Sequence, residues 1–405
     1  MRIVLATTGQ PSTNPRLVKE ANALVEAGYS VKVYYSYWAD WAADTDRQLL
    51  ETVKWEYELI GGAPYTDQIT FILNKITFKF YQKISKYFNL SLAKSRNKTF
   101  DRLVKILKEE KANHYIAHNL GALVPIALAA KHNQSSFSFD AEDFHRGQYS
   151  QTCRDQDIEI RLENEYLPKA RFVTTASSLI TKHYQDLYPN QKFTTINNVF
   201  SKKEFKNTTL ANNTDPLKLF WFSQTIGTNR GIEDVIEAIG LCSSNDIKLT
   251  LLGSISSENF SYFRKIVKEF GLQDHQFEII SPVSPKEIFE IAKYHDIGLA
   301  LEPAFNLNND LALSNKIFTY LSVGLTVIAS ETQAQRLFFE ENSDIGITYC
   351  IGDVISLSKI IQGFIDDKKL LKQYKRNAYT IAETRFNWEL ECKKFISLIN
   401  ETFSK

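Results

Sequence analysis

The chain of 405 residues exceeds the size at which a single hydrophobic core usually stops growing, so two domains of roughly 200 residues each are expected. With 43% hydrophobic and 23% charged residues it is composed like an ordinary globular protein, which excludes disorder on a large scale. A formal net charge of +1 removes any global case for nucleic acid as a partner and leaves only local patches to consider. In chain order, Arg2 to Ala6 reads as a strand, Thr7 to Pro11 as its loop, and Leu17, Ala21, Leu24 and Val25 recur at helical spacing. Gly28 stops that helix and Val31 to Tyr35 supplies the next strand, an opening βαβ unit. Strands at His114 to His118, Ser136 to Phe139 and Phe172 to Thr175, with a helix around Leu123 to Lys131, extend the pattern into one parallel sheet wrapped by helices.

From Ser201 to Pro216 the chain is polar and irregular, as a linker would be. Beyond it, strands at Leu217 to Phe222, Lys248 to Leu252, Phe277 to Ile280, Ile297 to Leu301 and Thr326 to Ala329 alternate with helices. Those helices are placed at Glu233 to Leu241, Phe260 to Phe270, Lys286 to Lys293 and Lys316 to Val323. The fold class is therefore α/β, two facing Rossmann-like domains, with ligands expected beyond the carboxyl ends of the strands in the interdomain cleft. The cysteines Cys153, Cys242, Cys350 and Cys392 stand far apart without ligand spacing and read as buried thiols of a reducing cytosol. The opening apolar run is too short for a signal-peptide core, and no eighteen apolar residues run uninterrupted, so a cytoplasmic protein is expected.

Residues 69–98 carry seven cations, Lys75, Lys79, Lys83, Lys86, Lys94, Arg96 and Lys98, and no acidic residue. Phe71, Ile72, Ile76, Phe80, Ile84, Tyr87 and Phe88 recur every three or four positions among them. One greasy and one basic face predict a helix for an anionic membrane surface; a core-packed helix with a solvated lysine face fits the same pattern. Nothing in the patch resembles a nucleic-acid module.

Three loops carry chemistry. Thr8 to Arg16 is not GxGxxG, which argues against a dinucleotide oxidoreductase, although Gly9 before a helix lets the backbone approach a phosphate or sugar; an ordinary turn explains it equally. Phe220 to Glu233 places Arg230 at the mouth of a strand-loop-helix unit, where a guanidinium and the positive helix end suit a diphosphate. Glu302 ends a strand and can accept from sugar or ribose hydroxyls, or be a plain salt-bridged group. Ser314 and Asn315 read as an N-cap opening a helix whose amides, with Lys316, face an anion.

Phe222 to Gly231 is similar to a Gly-containing loop that ends in a basic residue and Gly. Ser314 to Ser330 is similar to an Asn-Lys-hydrophobic-Phe-x-Tyr helix followed by Gly and a strand. With His118-Asn119, Phe139 to Asp143, Val173 to Ser177 and Arg385 to Trp388 in the same order, nearly the whole chain resembles the retaining GT-B-fold glycosyltransferases of family 4, also called group 1. Members of that kind occur in bacterial polysaccharide and glycolipid assembly.

The resemblance implies an N-terminal acceptor domain over 1–200, a linker over 201–216, a sugar-nucleotide domain over 217–385, and a C-terminal helix over 386–405 that packs back toward the first domain. It implies that Arg230 binds the donor diphosphate, with Ser314, Asn315, Lys316, Thr319 and Gly9 on the donor side. His118 would contact the sugar or acceptor near the reacting carbon, Glu302 would match the first acid of a paired-Glu motif, and Asp140, Glu142 and Asp143 would stand on the acceptor side. The chain departs from the family in having Thr319 where a Glu usually holds the ribose, and Gln224 where Gly is frequent. The implied chemistry is transfer with retention from a nucleotide-sugar co-substrate to a glycan or lipid-linked acceptor, with no cofactor; no DxD stands where Mg2+ would need one. A sugar-nucleotide epimerase on the same fold and a catalytically weak sugar-nucleotide-binding scaffold subunit are the alternatives.

Overall fold

The computed structural model describes residues 1–85, 87, 92–205 and 216–404; Lys86, Phe88 and most of the expected linker, 206–215, lie outside the described residues. The chain divides into two compact units. Unit 1 comprises 1–197, 306–308 and 392–405, and unit 2 comprises 198–305 and 309–391.

Unit 1 is built on seven parallel strands: β1 (Arg2–Thr7), β2 (Ser30–Ser36), β3 (Glu56–Ile60), β4 (His114–His118), β5 (Ser136–Glu142), β6 (Val173–Thr175) and β7 (Phe193–Thr195). Their spatial order is β3-β2-β1-β4-β5-β6-β7. The strand sequences dictate this: Ile3 to Ala6 and the whole of β4 are buried, as strands covered by helices on both faces must be. The helix Pro15–Glu26 begins where Asn14 accepts from the Leu17 amide at 3.0 Å and Pro15 presets the first turn. It ends at Gly28, whose φ of 87° closes the turn before β2. The strand order reverses between β1 and β4, so the carboxyl ends of these two strands flank the topological switch point where doubly wound sheets bind ligands. The sequence pattern missed β3, whose residues Glu56 and Tyr57 are exposed at the sheet edge and lack an apolar period.

Unit 2 repeats the plan with β8 (Leu217–Ile226), β9 (Ile247–Ile255), β10 (Phe277–Ile280), β11 (Ile297–Ala300), β12 (Thr326–Ser330) and β13 (Gly346–Tyr349), ordered β10-β9-β8-β11-β12-β13 and all parallel. Its switch point lies between β8 and β11. The unit begins at Asn198 because Val199 and Phe205 are buried in its core beside Phe289 and Phe318. Lys202–Phe205, within the segment expected to be irregular, is a short helix. At the other end, the helix Trp388–Phe403 counts with unit 1 from Cys392, and Tyr29 donates to Asn400 at 2.7 Å.

The cysteines differ from expectation: none is fully buried and Cys350 is exposed. No helix among the described residues is long and apolar enough to cross a membrane.

Candidate active site

At the switch point of unit 1, β4 ends in His118 and β5 carries Asp140, while the helix Pro15–Glu26 supplies Arg16 and, one turn on, Glu20. All four side chains are at most 1% exposed. Arg16 Nε donates to Asp140 Oδ2 at 2.7 Å and its Nη1 donates to the Ile196 carbonyl. Thr174 donates to Asp140 Oδ1 at 2.7 Å. The His118 ring lies between two carboxylates, Nε2 3.2 Å from Glu20 and Nδ1 3.2 Å from Asp140. Neither contact has hydrogen-bond alignment, and each is an ion pair when the ring carries both protons.

Burial alone would push the His118 ring down; Glu20 and Asp140 outweigh it and raise it to about 9. Burial works against the Asp140 carboxylate too, but Arg16 and His118 hold it below its usual range. Glu20 is pushed up by burial and by the nearby charge of Asp140. Glu20, His118 and Asp140 offer ligand-type atoms within 4.8 Å of one another, the one such group among the described residues, but Arg16 already supplies the cation in contact with Asp140.

The other residues expected on the acceptor side, Glu142 and Asp143, follow Asp140 in the chain. Glu142 is half-buried with φ 55°, at a shift in register between β5 and β6, and its carboxyl is raised to about 7, by burial first and by Asp140 second. Asp143 accepts from Gln148 at 3.2 Å. Gly9 follows β1 and accepts through its carbonyl from the Ser36 amide, and a Cβ there would lie 3.1 Å from the Thr13 hydroxyl.

The site in unit 2 is less enclosed than that of unit 1: the Lys316 and Glu302 side chains are 14% and 19% exposed, and Arg230 is half-exposed. Gly231, with φ 76°, starts the helix Ile232–Leu241, and an added Cβ would press on Leu301 at 3.2 Å; this turn sets Arg230 at the end of the β8 loop. The Arg230 guanidinium lies 5.8 Å, and Lys316 Nζ 6.0 Å, from the centroid of the buried Trp221 ring, so two cations share one aromatic platform. Lys316 and the Ser314 hydroxyl both donate to Glu302 Oε1 at 2.7 Å. Ser330 pins the Glu302 backbone, accepting from its amide at 2.7 Å and donating to its carbonyl at 2.8 Å. Burial would raise the Glu302 carboxyl, but Lys316, Ser314 and Arg230 together hold it below its usual value.

The helix Asn315–Ser322 sits close on β11 because Gly298 has no side chain: a Cβ there would collide with the Tyr320 ring at 2.2 Å. Ser314 occupies the N-cap position, but its side chain bonds Glu302 rather than capping, and Asn315 is exposed at the helix start. Its amides are thus left to other partners. Thr319 is 4% exposed, and its hydroxyl bonds back to the Asn315 carbonyl at 3.5 Å.

Arg16, Glu20 and Trp221 escaped the sequence reading. A signal existed for the first: a cation in the first turn of a helix opposes the helix dipole, so Arg16 pointed to a buried anionic partner.

Residues 230–397 match a family described as glycosyl transferase-like. No curated protein sequence matches the chain. Among solved structures, HepE of Anabaena, determined in complex with UDP and glucose, is 15% identical with a TM-score of 0.68, covering 99% of this chain and 100% of that one. Sucrose-phosphate synthase of Thermosynechococcus elongatus is 13% identical at TM-score 0.70, covering 100% and 99%. WaaG, a glycosyltransferase involved in lipopolysaccharide biosynthesis, is 12% identical at TM-score 0.63, covering 98% and 99%. The chain thus has the GT-B fold of two Rossmann-like domains, and its residues 230–397 carry the glycosyl transferase-like family match, in line with the group 1 glycosyltransferase resemblance.

Proposed function

We propose that the protein is a retaining, metal-independent glycosyltransferase that moves a sugar from a nucleotide-sugar donor on unit 2 to a glycan or lipid-linked acceptor on unit 1. Its setting is cell-surface polysaccharide or glycolipid synthesis at the cytoplasmic side. The observation that carries this reading is the pair Arg230 and Lys316 over Trp221 at the switch point of unit 2, where a nucleoside diphosphate finds two cations and the start of a helix. HepE, of the same fold, was solved with UDP and glucose.

In this mechanism the acceptor oxygen bonds to the anomeric carbon as the bond from that carbon to the diphosphate oxygen breaks. The acceptor proton passes to the departing phosphate on the same face. Arg230, Lys316 and the amides at Asn315 stabilise the charge that develops on the leaving group. Glu302 Oε1 is taken by Lys316 and Ser314, which leaves Oε2 for a sugar hydroxyl. Glu142 and Asp143 orient the acceptor hydroxyl.

The helix Gln68–Ser85 supports a lipid-linked acceptor. It turns Thr70 and Ser85 inward, and leaves Ile69, Ile72, Leu73, Ile76 and Phe80 exposed beside Lys75, Lys79 and Lys83. This stripe of five apolar side chains is therefore not packed in the core, while Phe71 and Ile84 of the same helix are half-buried. Such a stripe, flanked by cations, suits an anionic bilayer, with each cation contributing on the order of 1 kcal/mol. Co-sedimentation with anionic vesicles, lost at high salt and in a Lys75/Lys79/Lys83→Glu variant, is the expected result; no sedimentation at low salt removes this part of the reading.

The donor test is a thermal-shift screen against UDP-, GDP-, ADP-, dTDP- and CMP-sugars with Arg230→Ala as control. One nucleotide that raises the melting temperature of the native chain but not of the variant supports the site, and acceptor-dependent turnover then makes it a transferase. Turnover without acceptor points to an epimerase. Binding without turnover points to a scaffold subunit, the reading favoured by the buried Thr319 in place of a ribose-binding carboxylate.

A further inference from the structure

We infer that Arg16 and Glu20 are positioning residues that hold His118 as an imidazolium between two carboxylates, and that this sealed ion quartet fixes the two strand ends bearing the acceptor-side groups.

The charge state follows from the geometry. A neutral imidazole has one N–H and one lone pair, so a ring with carboxylate oxygens 3.2 Å from both nitrogens would set a lone pair against an anion on one side. A second ring proton removes the conflict. Arg16 and His118 then balance Asp140 and Glu20, and four fully buried groups sum to zero charge. The groups facing His118 come from two elements, Glu20 from the helix Pro15–Glu26 and Asp140 from β5. Arg16, 2.7 Å from Asp140, and Glu142, further along β5, complete its charged surroundings. The upward direction found for the ring agrees with this assignment. A metal at Glu20, His118 and Asp140 would have to displace the second ring proton, so metal uptake and the imidazolium compete for the same site.

The positioning role follows from what comes next on each strand. Directly after His118, Asn119 has φ 63°; two residues after Asp140, Glu142 has φ 55° at the break in register. Both are non-glycine residues in the left-handed region, a strain that persists only where neighbours over-determine it. For Asn119 part of that support is visible, since its side chain is bonded to Thr7 and Thr8 at 2.9 and 2.8 Å. For Glu142 it is the anchored Asp140, tied to Arg16 and Thr174. Through Arg16 and Glu20 the helix Pro15–Glu26 thereby holds both strand ends. This second part rests on the transferase reading; the first does not.

The test is side-chain 1H–15N spectroscopy of 15N-histidine-labelled full-length protein from pH 5 to 10, with His118→Gln for assignment. Expected is a His118 ring protonated at both nitrogens at pH 7.5, with a midpoint above 8 that falls by at least one pH unit in Glu20→Gln. A neutral ring at pH 7.5, whether the proton sits on Glu20 or the ring takes up added Zn2+, overturns the assignment, and needs no variant to fold. In turnover assays Glu20→Gln raises the acceptor KM about tenfold and leaves the donor KM unchanged, and Glu20→Asp restores part of the loss. An unchanged acceptor KM overturns the positioning role. If the native chain turns over no donor, the transferase reading fails while the ring assignment stands or falls on its spectrum.

Discussion

The two sheets put their candidate sites at equivalent places, beside the first strand of each unit where the strand order reverses, yet they build them in opposite ways. In unit 1 the charges are inside: Arg16, Glu20, His118 and Asp140 neutralise one another where solvent does not reach. In unit 2 the charges are at the mouth: Arg230 and Lys316 outnumber Glu302, and Arg230 bonds only weakly to the Thr225 carbonyl at 3.3 Å. A buried balanced set is suited to fixing geometry, and an unbalanced one at the surface to taking an anion. The difference teaches that topology locates a site while the partners of its charges decide what it does.

The largest effect should come from breaking the sealed set. Arg16→Ala leaves Asp140 buried without its cation, and removing one partner of a buried pair costs about 3–5 kcal/mol, so unit 1 should melt on the order of 10 °C lower. Arg230→Ala, at the open edge, should move the melting temperature of the free protein little, because a half-exposed side chain away from the core changes stability by about 0.5 kcal/mol or less. Calorimetry of the two variants checks the contrast; equal losses would mean that Arg230 is a structural cation.

Donor affinity should show the reverse order. Arg230→Ala and Lys316→Ala each remove a charge-assisted contact worth about 1.5–3 kcal/mol, a weakening of roughly 10- to 100-fold in titration with the nucleotide that the screen selects. Lys316→Ala should do more than Arg230→Ala, since it also frees Glu302 from its ion pair and leaves a second anion near the diphosphate. Arg16→Met, measured below its melting temperature, should leave donor affinity within about twofold of the native chain.

The legibility of these two edges in the sequence differs for the same reason that their chemistry does. Alternating strands and helices, set by apolar period, make both sheets readable, and the half-exposed cation Arg230 stands out in a polar loop after a buried strand. The quartet does not, because Arg16 and Asp140 are 124 positions apart and only the fold brings the Arg16 and Glu20 side chains of the first helix to the strands β4 and β5. Thr319 is legible only by its position in the resembled helix; which face that helix turns inward depends on the close approach at Gly298, which no local pattern reports. The direction of the helix Gln68–Ser85 is open in the sequence for a similar reason: its period fixes two faces but not which of them meets the protein.

The pH response sharpens the comparison further. His118 is raised from 6.5 to about 9, so its contribution to unit 1 is full below pH 6.5 and is lost as pH rises through 9; a rise of that size corresponds to on the order of 3 kcal/mol. Glu142, raised from 4.5 to about 7, acts earlier but with the same sign: its contribution is full below pH 4.5 and is lost as pH rises through 7. Glu302 is displaced the other way, so its contribution to unit 2 is present above its unfolded value of 4.5 and is lost as pH falls below it. Unit 1 should therefore weaken toward alkaline pH, whereas toward acid Glu302 weakens unit 2 and, below pH 3.8, the lowered Asp140 weakens unit 1 as well. Urea unfolding followed by Trp221 fluorescence for unit 2 and by Trp55 for unit 1, in variants that keep one of these reporters, separates the two; a common pH profile would mean that neither site governs its unit.

The smallest effect is expected at Thr319. Its hydroxyl makes one long bond, at 3.5 Å, to the carbonyl one turn back, and the side chain is enclosed, so Thr319→Ala gives up that bond and gains helix propensity. Stability should change by less than about 1 kcal/mol and donor affinity by less than about twofold. Thr319→Glu, which restores the residue usual in the resembled family, should not improve donor binding: the added carboxylate would be buried without a partner, and unit 2 should lose stability instead. A tenfold loss of donor affinity in Thr319→Ala would show that the helix Asn315–Ser322 turns this face toward the ligand. The open edge would then be built by the helix as well as by its first residues, and Arg230, Lys316 and Glu302 would account for only part of it.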